Sequence, residues 1–227
     1  MFRTLVIIFS AMIFSVSLAT AQVQTPAIAA TFKVYPLDSK TLRNDIEEFM
    51  KEGYSPVGIE VIESGAYEGI YVLFDVDPDK EIKDWRIITY KSTNEAIKGI
   101  DAELKKGWIP GDMAWGQRLN YVLYQRFAEK VTEWKLENVK GPRAFDALLE
   151  KYAEKDYLPM GFNWNSVTGE VSVFFLKWPK LEIEEYDITT YNNINELEAD
   201  LTKKARDGWS PCGFMIANGK FRVFILR

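Results

Sequence analysis

The sequence contains no histidine and a single cysteine, Cys212. Without histidine the chain cannot build a Ser-His or Cys-His nucleophilic system or an imidazole metal site. With one cysteine it cannot form an internal disulfide, so the fold must depend on its hydrophobic core. Cys212 stands between Pro211 and Gly213. Because no histidine is present to activate the thiol, we interpret Cys212 as a small packing residue.

Other signatures of chemistry are also missing. The chain has no P-loop and no dinucleotide-binding fingerprint. The acidic run DVDPDKE at 75–81 suggests the start of a calcium loop. However, Lys80 stands where that loop needs glycine, and Arg86 stands where it needs glutamate. We interpret the run as a solvated linker and expect no metal and no cofactor. Carboxylates are plentiful and leave a Glu/Asp hydrolase open, but no acidic pair stands out among them.

Residues 1–21, MFRTLVIIFSAMIFSVSLATA, form a candidate targeting segment. Arg3 precedes an apolar run over 5–18, and small residues follow at 19–21, which is the pattern of a signal peptide. The run of about 14 residues is short for a membrane span, which needs about 20. We expect cleavage before Gln22, a loose leader over 22–30, and a periplasmic or secreted protein without a transmembrane segment. An uncleaved N-terminal anchor is the alternative.

The bulk composition narrows the function further. The chain is 47% hydrophobic, which is enough to form a sizeable core. The formal net charge is −5, and it becomes −6 when Arg3 leaves with the signal peptide. This acidic balance argues against a general binder of nucleic acid or of anionic membranes.

One short phrase recurs four times along the chain. KKGWIPG at 105–111 has the counterparts KEGYSPVG at 51–58, EKDYLPMG at 154–161 and ARDGWSPCG at 205–213. Aligned on Gly53, Gly107, Asp156 and Gly208, the copies are 54, 49 and 52 residues apart. A period of about 50 residues predicts an internal repeat. We divide the chain into unit 1 (31–81), unit 2 (82–131), unit 3 (132–181) and unit 4 (182–227).

Each unit has the same predicted elements. A strand-like run comes first, namely FKVYPL, WRIITY, WKLENV or YDITTY. A helical stretch with an apolar stripe follows, and then two more strands; in unit 4 these are joined by Asn218-Gly219, a hairpin signal. The sequence therefore predicts an α+β fold of four tandem β-α-β-β repeats, with helices on one face of antiparallel or mixed sheet. We expect the repeats to pair, the first with the second and the third with the fourth.

The recurring phrase is typical of a helix end. Glycine adopts the left-handed conformation needed just past a helix, and aspartate tolerates it better than most residues. The next residue is aromatic and can fold back on the last turn, and the proline prevents the helix from continuing. Capping accounts for every position, whereas four aromatic-proline ligand grooves are the alternative. The structural helix-end motif comprises Gly53, Tyr54, Pro56, Gly107, Trp108, Pro110, Asp156, Tyr157, Pro159, Gly208, Trp209 and Pro211.

The segment DWRIITYKSTNEAIKGIDAELKKGW at 84–108 resembles a known class of sequence. It is similar to small uncharacterised bacterial β-α-β-β repeat domains with a (Glu/Lys)-Gly-(Trp/Tyr)-x-Pro helix-end motif. The resemblance applies to each of the four units, over residues 31–227. It implies a fold and does not imply an activity.

Residues peculiar to one unit are the candidates for function, because folding accounts for those shared by all four. Arginine with exposed aromatic residues is a common composition of binding surfaces, and hairpins on a rigid sheet are natural places for it. Packing between units is the alternative role for these side chains. The candidate ligand-binding residues are Trp115, Arg118, Tyr121, Trp164 and Trp178.

Repeats, an export signal and missing catalytic motifs together favour an exported, non-catalytic binding or interaction protein of the bacterial envelope. Its partner would be a protein, a peptide or an envelope polymer. The first alternative is a carboxylate-dependent hydrolase acting on an envelope polymer, which would need a cleft with two facing carboxylates about 5–10 Å apart. A purely structural envelope component is the second alternative.

Overall fold

The structure, a computed structural model, describes residues 30–63, 65–66, 68–76, 82, 84–127, 131, 133–165, 168–177 and 185–227. Three subjects of the sequence predictions lie outside these residues: the signal peptide with nearly all of the leader, most of the acidic run at 75–81, and Trp178. None of the helices in the described part of the chain is long and apolar enough to cross a membrane.

The described residues form four units of strand, helix, strand, strand, as the sequence predicts. Unit 1 contains β1 (Ala30–Tyr35), α1 (Leu42–Lys51), β2 (Ser55–Ile62) and β3 (Gly69–Asp75). Unit 2 contains β4 (Asp84–Tyr90), α2 (Thr93–Leu104), β5 (Ile109–Trp115) and β6 (Asn120–Arg126). Unit 3 contains β7 (Trp134–Lys140), α3 (Pro142–Ala153), β8 (Tyr157–Asn165) and β9 (Glu170–Lys177). Unit 4 contains β10 (Tyr186–Tyr191), α4 (Ile194–Ala205), β11 (Ser210–Ala217) and β12 (Lys220–Leu226).

Each unit has one three-stranded sheet in which every pairing is antiparallel. The third strand of the unit lies in the middle and the second strand lies at one edge, giving the orders β1-β3-β2, β4-β6-β5, β7-β9-β8 and β10-β12-β11. We call β2, β5, β8 and β11 the inner strands.

Two of the helices, α2 and α4, begin at a side-chain cap, and all four are followed by a residue with positive φ. Ser92 caps α2 by accepting a hydrogen bond from the Glu95 N–H at 3.2 Å, and Asn193 caps α4 in the same way with Glu196 at 2.9 Å. At the other end the residues at the anchor positions have positive φ, namely 91°, 81°, 62° and 85° at Gly53, Gly107, Asp156 and Gly208. These are the left-handed conformations that the helix-end motif predicts.

The aromatic residue of the helix-end motif packs over the helix it terminates. Tyr54 contacts Phe49 and Tyr157 contacts Tyr152, each five residues earlier. In three units a basic residue at or just after the end of the middle strand lies over this aromatic ring: Arg126 lies 4.3 Å from the ring centroid of Trp108, Lys177 5.7 Å from Tyr157, and Arg227 5.2 Å from Trp209. These cation–π contacts add to the cap.

A β-bulge follows the proline in every inner strand. The register between inner and middle strand skips one residue between Pro56 and Gly58, and the other three units skip at the same place, between Pro110 and Asp112, Pro159 and Gly161, and Pro211 and Gly213. A bulge bends its strand and redirects the side chains that follow. Proline has no N–H to donate to a neighbouring strand, and a bulge is one of the places in a sheet where this is tolerated.

The four inner strands close into a ring. β2 contacts β5, β5 contacts β8, β8 contacts β11, and β11 returns to contact β2. Units 1 and 2 pack together, as do units 3 and 4, in agreement with the expected pairs. Units 2 and 3, and units 4 and 1, pack in the same way, so the arrangement is a ring of four units around an approximately fourfold axis.

Each hydrophobic core is shared between neighbouring units. The core between units 1 and 2 contains Ile46 of α1, the β2 and β3 face of unit 1, and residues such as Leu123 from the sheet of unit 2. The core that closes the ring contains Leu197 and Leu201 of α4 together with Leu73 of unit 1. Every helix therefore lies between its own sheet and the next one, which supplies the burial that a single three-stranded unit lacks.

Candidate functional site

The inner strands meet at one position per unit, immediately after the bulge. Units 1, 3 and 4 place Gly58, Gly161 and Gly213 there, and unit 2 places Asp112. The glycines are required by close approach: a Cβ on Gly58 would lie 2.6 Å from the ring of Phe214, and one on Gly161 would lie 2.5 Å from the Asp112 carboxylate. The strands are therefore packed tightly around the axis at this level.

Asp112 is the single acidic member of this axial set, and it is 1% exposed. Its carboxylate accepts hydrogen bonds from the backbone N–H of Ile59 at 2.8 Å, of Met113 at 2.8 Å, and of Phe162. The donors come from β2, β5 and β8, so one side chain joins three units. Burial raises the pKa of Asp112 well above its usual value, although the three backbone donors oppose this shift. We assign Asp112 a structural role at the axis.

Beyond this constriction a cavity of about 790 Å³ opens at the far ends of the inner strands. All four units contribute to its wall, and the described parts of all four hairpin connections surround it, including Glu63, Gly116, Asn165 and Gly219. The volume lies in the range of pockets that hold small ligands. The helix-end motif lies at the opposite ends of the inner strands, and none of its residues lines this cavity.

Two tryptophans singled out from the sequence meet at this cavity. Trp115 and Trp164 occupy equivalent positions, three residues after the axial position, where unit 1 has Val61 and unit 4 has Ile216. All four of these residues line the wall. Because units 2 and 3 are neighbours in the ring, the wall has one aromatic side and one aliphatic side.

The other three candidate binding residues do not join them. Tyr121 is 8% exposed and lies in the core between units 1 and 2. Arg118 is exposed in the β5–β6 turn and borders a smaller surface depression with Val34 and Glu68. Its backbone N–H donates to Glu63 at 2.6 Å, so it supports the cavity rim from outside. Trp178 belongs to the part of the chain that the structure does not describe.

Glu60 is a cavity residue that the sequence reasoning missed. It lies two residues after the axial position, where the other units have Ala114, Asn163 and Met215. The side chain is buried, with the residue 6% exposed. Its carboxylate accepts from the N–H of Val61 at 2.9 Å and from that of Ile216 at 3.4 Å. Burial outweighs these donors and raises the pKa of Glu60 to about 7.

The remainder of the wall is polar, with amides prevailing. Two further carboxylates, Glu63 and Glu170, lie on it. The Glu63 carboxylate accepts from the N–H groups of Arg118 and Leu119, at 2.6 and 3.4 Å. No lysine or arginine is among the described residues that line the cavity. The amide side chains on the wall are Gln117, Asn120, Asn138, Asn163, Asn165 and Asn218.

This lining suits a neutral or positively charged polar ligand. Amides both donate and accept hydrogen bonds, and tryptophan offers an apolar face. Among the described residues no group of three or more acidic or cysteine side chains is placed to hold a metal ion. Two signals in the sequence could have pointed to this region: Glu60 interrupts the apolar run VGIEVI, and Asp112 replaces the glycine of the other three units.

The comparisons with known proteins add no family to this description. No family model, no curated protein and no solved structure matches the chain.

Proposed function

We propose that the protein is an exported, non-catalytic binding protein of the bacterial envelope, and that its axial cavity takes an oligosaccharide or the end of an envelope polysaccharide. The observation that carries the proposal is the lining of this cavity, where two tryptophans from neighbouring units stand among six amide side chains. Export is the expectation from residues 1–21.

The chemistry of the lining matches that of a sugar. Each hydroxyl of a saccharide is both a donor and an acceptor, and a side-chain amide can satisfy it in either role. The C–H face of a pyranose ring is apolar and can pack on the face of Trp115 or Trp164. Because these side chains stand on strands within a closed ring, the site is largely formed before the ligand arrives, which reduces the entropic cost of binding.

A glycan array probed with residues 22–227 tests the proposal. Sugars that are captured are then titrated into the protein, and the change in its intrinsic tryptophan fluorescence gives the affinity. Trp164→Ala should weaken binding at least about tenfold, since it removes a half-buried aromatic side chain from the cavity wall. Trp209→Ala is the matched control, because Trp209 lies beside the opposite end of an inner strand; it should change affinity less than about twofold.

Two results would contradict the proposal. One is capture of no glycan by folded protein. The other is equal loss of affinity in the Trp164 and Trp209 variants, which would indicate a general effect on stability. Near-native thermal unfolding of both variants must be shown before the affinities are compared.

One observation favours the hydrolase as a second candidate. A buried glutamate whose pKa is about 7 can act as a general acid, and Glu60 is such a residue on the cavity wall. Glycoside hydrolysis needs a second carboxyl group facing the first. Asp112 does not line the cavity, and both of its oxygens are bound to backbone N–H groups. Glu63 and Glu170 do line it, but the Glu63 carboxylate accepts from two backbone N–H groups and Glu170 accepts from the Thr168 hydroxyl. Binding is therefore the favoured function. Mass spectrometry of captured glycans after long incubation would reveal any cleavage and its loss in Glu60→Gln.

A further inference from the structure

The cavity wall contains a buried acidic group that has no positively charged partner among the described residues. Glu60 makes no ion pair with any described residue, and its carboxylate is held by two backbone N–H groups only. The other carboxyl groups nearby do not balance it, because Glu63, Glu170 and the deeper Asp112 are also acidic. Glu63 differs from Glu60 in having the Arg118 Nε at 3.9 Å.

A buried carboxylate without a cation is unfavourable, and proteins relieve it by pairing or by protonation. Without a cation beside it, a carboxyl group in this position favours the protonated form, which agrees with the pKa of about 7 for Glu60. A positively charged group entering the cavity would supply the missing partner and release the proton. An anionic group would meet three carboxylates on the wall and no basic side chain among the described residues.

We propose that the saccharide bound in the axial cavity carries an ammonium group, and that this group pairs with the carboxylate of Glu60. The inference rests on the proposed function and names its ligand class, an amino sugar. Trp115 and Trp164 favour the same class, because the face of an indole ring attracts a cation. The amides hold the hydroxyls of the sugar, as for a neutral saccharide.

Isothermal titration calorimetry at pH 7 with two probes of similar size tests the inference. Kanamycin A is a pseudo-trisaccharide with several ammonium groups, and maltotriose is a neutral trisaccharide. Kanamycin A should bind at least about tenfold more tightly than maltotriose. Kanamycin titrations in two buffers of different ionisation enthalpy report the protons released on binding. Wild-type protein should release about half a proton more than Glu60→Gln, because a group with a pKa near 7 is half protonated at this pH.

Two charge variants separate a local pairing from general attraction to an acidic protein. Glu60→Gln removes the carboxylate and keeps the shape of the side chain, and it should weaken kanamycin A at least about tenfold while leaving maltotriose within about twofold. Glu48→Gln is the matched control, because it removes the same charge from the exposed surface of α1. It should change the affinity for kanamycin A less than about twofold.

The outcomes are distinguishable. If array glycans bind in a Trp164-dependent way but kanamycin A binds no better than maltotriose, the proposed function stands and the ammonium inference is overturned. If kanamycin A binds but Glu60→Gln and Glu48→Gln weaken it equally, the attraction is general and the inference is again overturned. If neither the array nor kanamycin A shows binding, both proposals fail. The proton count on wild-type protein needs no variant to fold, because the ammonium groups release no protons on pairing and Glu60 must supply any that are released. Binding of kanamycin A without net proton release would also overturn the pairing.

Discussion

The inner strands differ sharply between their two ends. At the starting end all four units have a left-handed residue, an aromatic residue, a proline and a bulge. At the cavity end the units diverge, and Val61, Trp115, Trp164 and Ile216 stand at equivalent positions. The repeated end stops the helix and positions the strand, whereas the divergent end lines the cavity. What the units share is needed for the ring, and what differs between them gives the cavity its chemistry.

Asp112 qualifies this comparison. It is peculiar to unit 2, yet it is buried at the axis and holds backbone N–H groups of three units. A residue that departs from the repeat can therefore have a structural role when the departure lies at the level where the units meet. The contrast between the two ends is best tested by substitutions at the axis, at the cavity and at the helix end.

The largest expected effect is at the axis. Gly161→Val should lower the free energy of unfolding by about 3 kcal/mol, because even its Cβ would overlap the carboxylate and approach the backbone of Asp112. Gly161→Ala should be less destabilising, since it adds a single methyl group. Urea unfolding monitored by tryptophan fluorescence measures both. Midpoints equal to that of the wild-type protein would show that the inner strands are not tightly packed at this level.

The second effect is a pH dependence at the cavity end. The pKa of Glu60 is raised on folding from 4.5 to about 7, so the folded state binds its proton more tightly than the unfolded state. The stability this provides is fully present below about pH 4.5 and is lost as the pH rises through 7, a change of about 3 kcal/mol. The buried carboxyl of Asp112 acts in the same direction.

Urea unfolding of wild-type protein and Glu60→Gln at pH 4.5 and pH 8 measures this contribution. Glutamine does not titrate, so the free energy of unfolding of the wild-type protein, relative to that of the variant, should decrease from pH 4.5 to pH 8. A constant difference would show that Glu60 is solvated in the folded protein and that the cavity wall is more open than the structure indicates.

The third effect is at the helix end. Gly107→Val should destabilise the protein by about 2 kcal/mol, because a β-branched residue resists a φ of 81°. Apart from the two chain neighbours, no described residue has an atom within 4 Å of the added Cβ, so we attribute the expected loss to backbone strain. Lys106→Ala is the neighbouring control and should have little effect. Equal urea midpoints for the two variants would contradict the cap, and unchanged sugar binding by the folded Gly107 variant is expected.

The smallest effect concerns the indole ring of Trp108 at the end of α2. Arg126→Ala should reduce stability by about 1 kcal/mol, since Trp108 loses one of two guanidinium groups and keeps Arg86 at 4.1 Å. Lys105→Ala, an exposed neighbour of the same charge, should be nearly neutral. Thermal unfolding at low and high salt distinguishes them. A loss in the Lys105 variant as large as that in the Arg126 variant would attribute the effect to net charge.

The fold could be predicted from the sequence where the cause is local. A left-handed residue followed by an aromatic residue and a proline ends a helix through interactions among neighbouring residues. Gly107, Trp108 and Pro110 therefore predict the end of α2 from the sequence alone. The closed ring of four units could not be predicted in this way. The ring is closed by contacts such as that of Glu60 with the N–H of Ile216, 156 residues away. No local sequence pattern predicts such a distant partner.

The candidate site was predictable only in part. Trp115 and Trp164 stood out because they are large and peculiar to their units, and both line the cavity. Tyr121 stood out for the same reason but is buried, because burial of an aromatic residue depends on which face of the sheet meets the next unit. Glu60 was missed since a glutamate in a chain with many acidic residues is conspicuous only when its burial is known.

Closure of the ring also changes how the repeats depend on one another. A linear array of four units has three interfaces and two ends that need specialised capping repeats. The ring formed by β2, β5, β8 and β11 has four interfaces and no end. Every unit is therefore an interior unit, and deleting any one of them would break two interfaces together. We therefore expect the four repeats to unfold together as one cooperative unit.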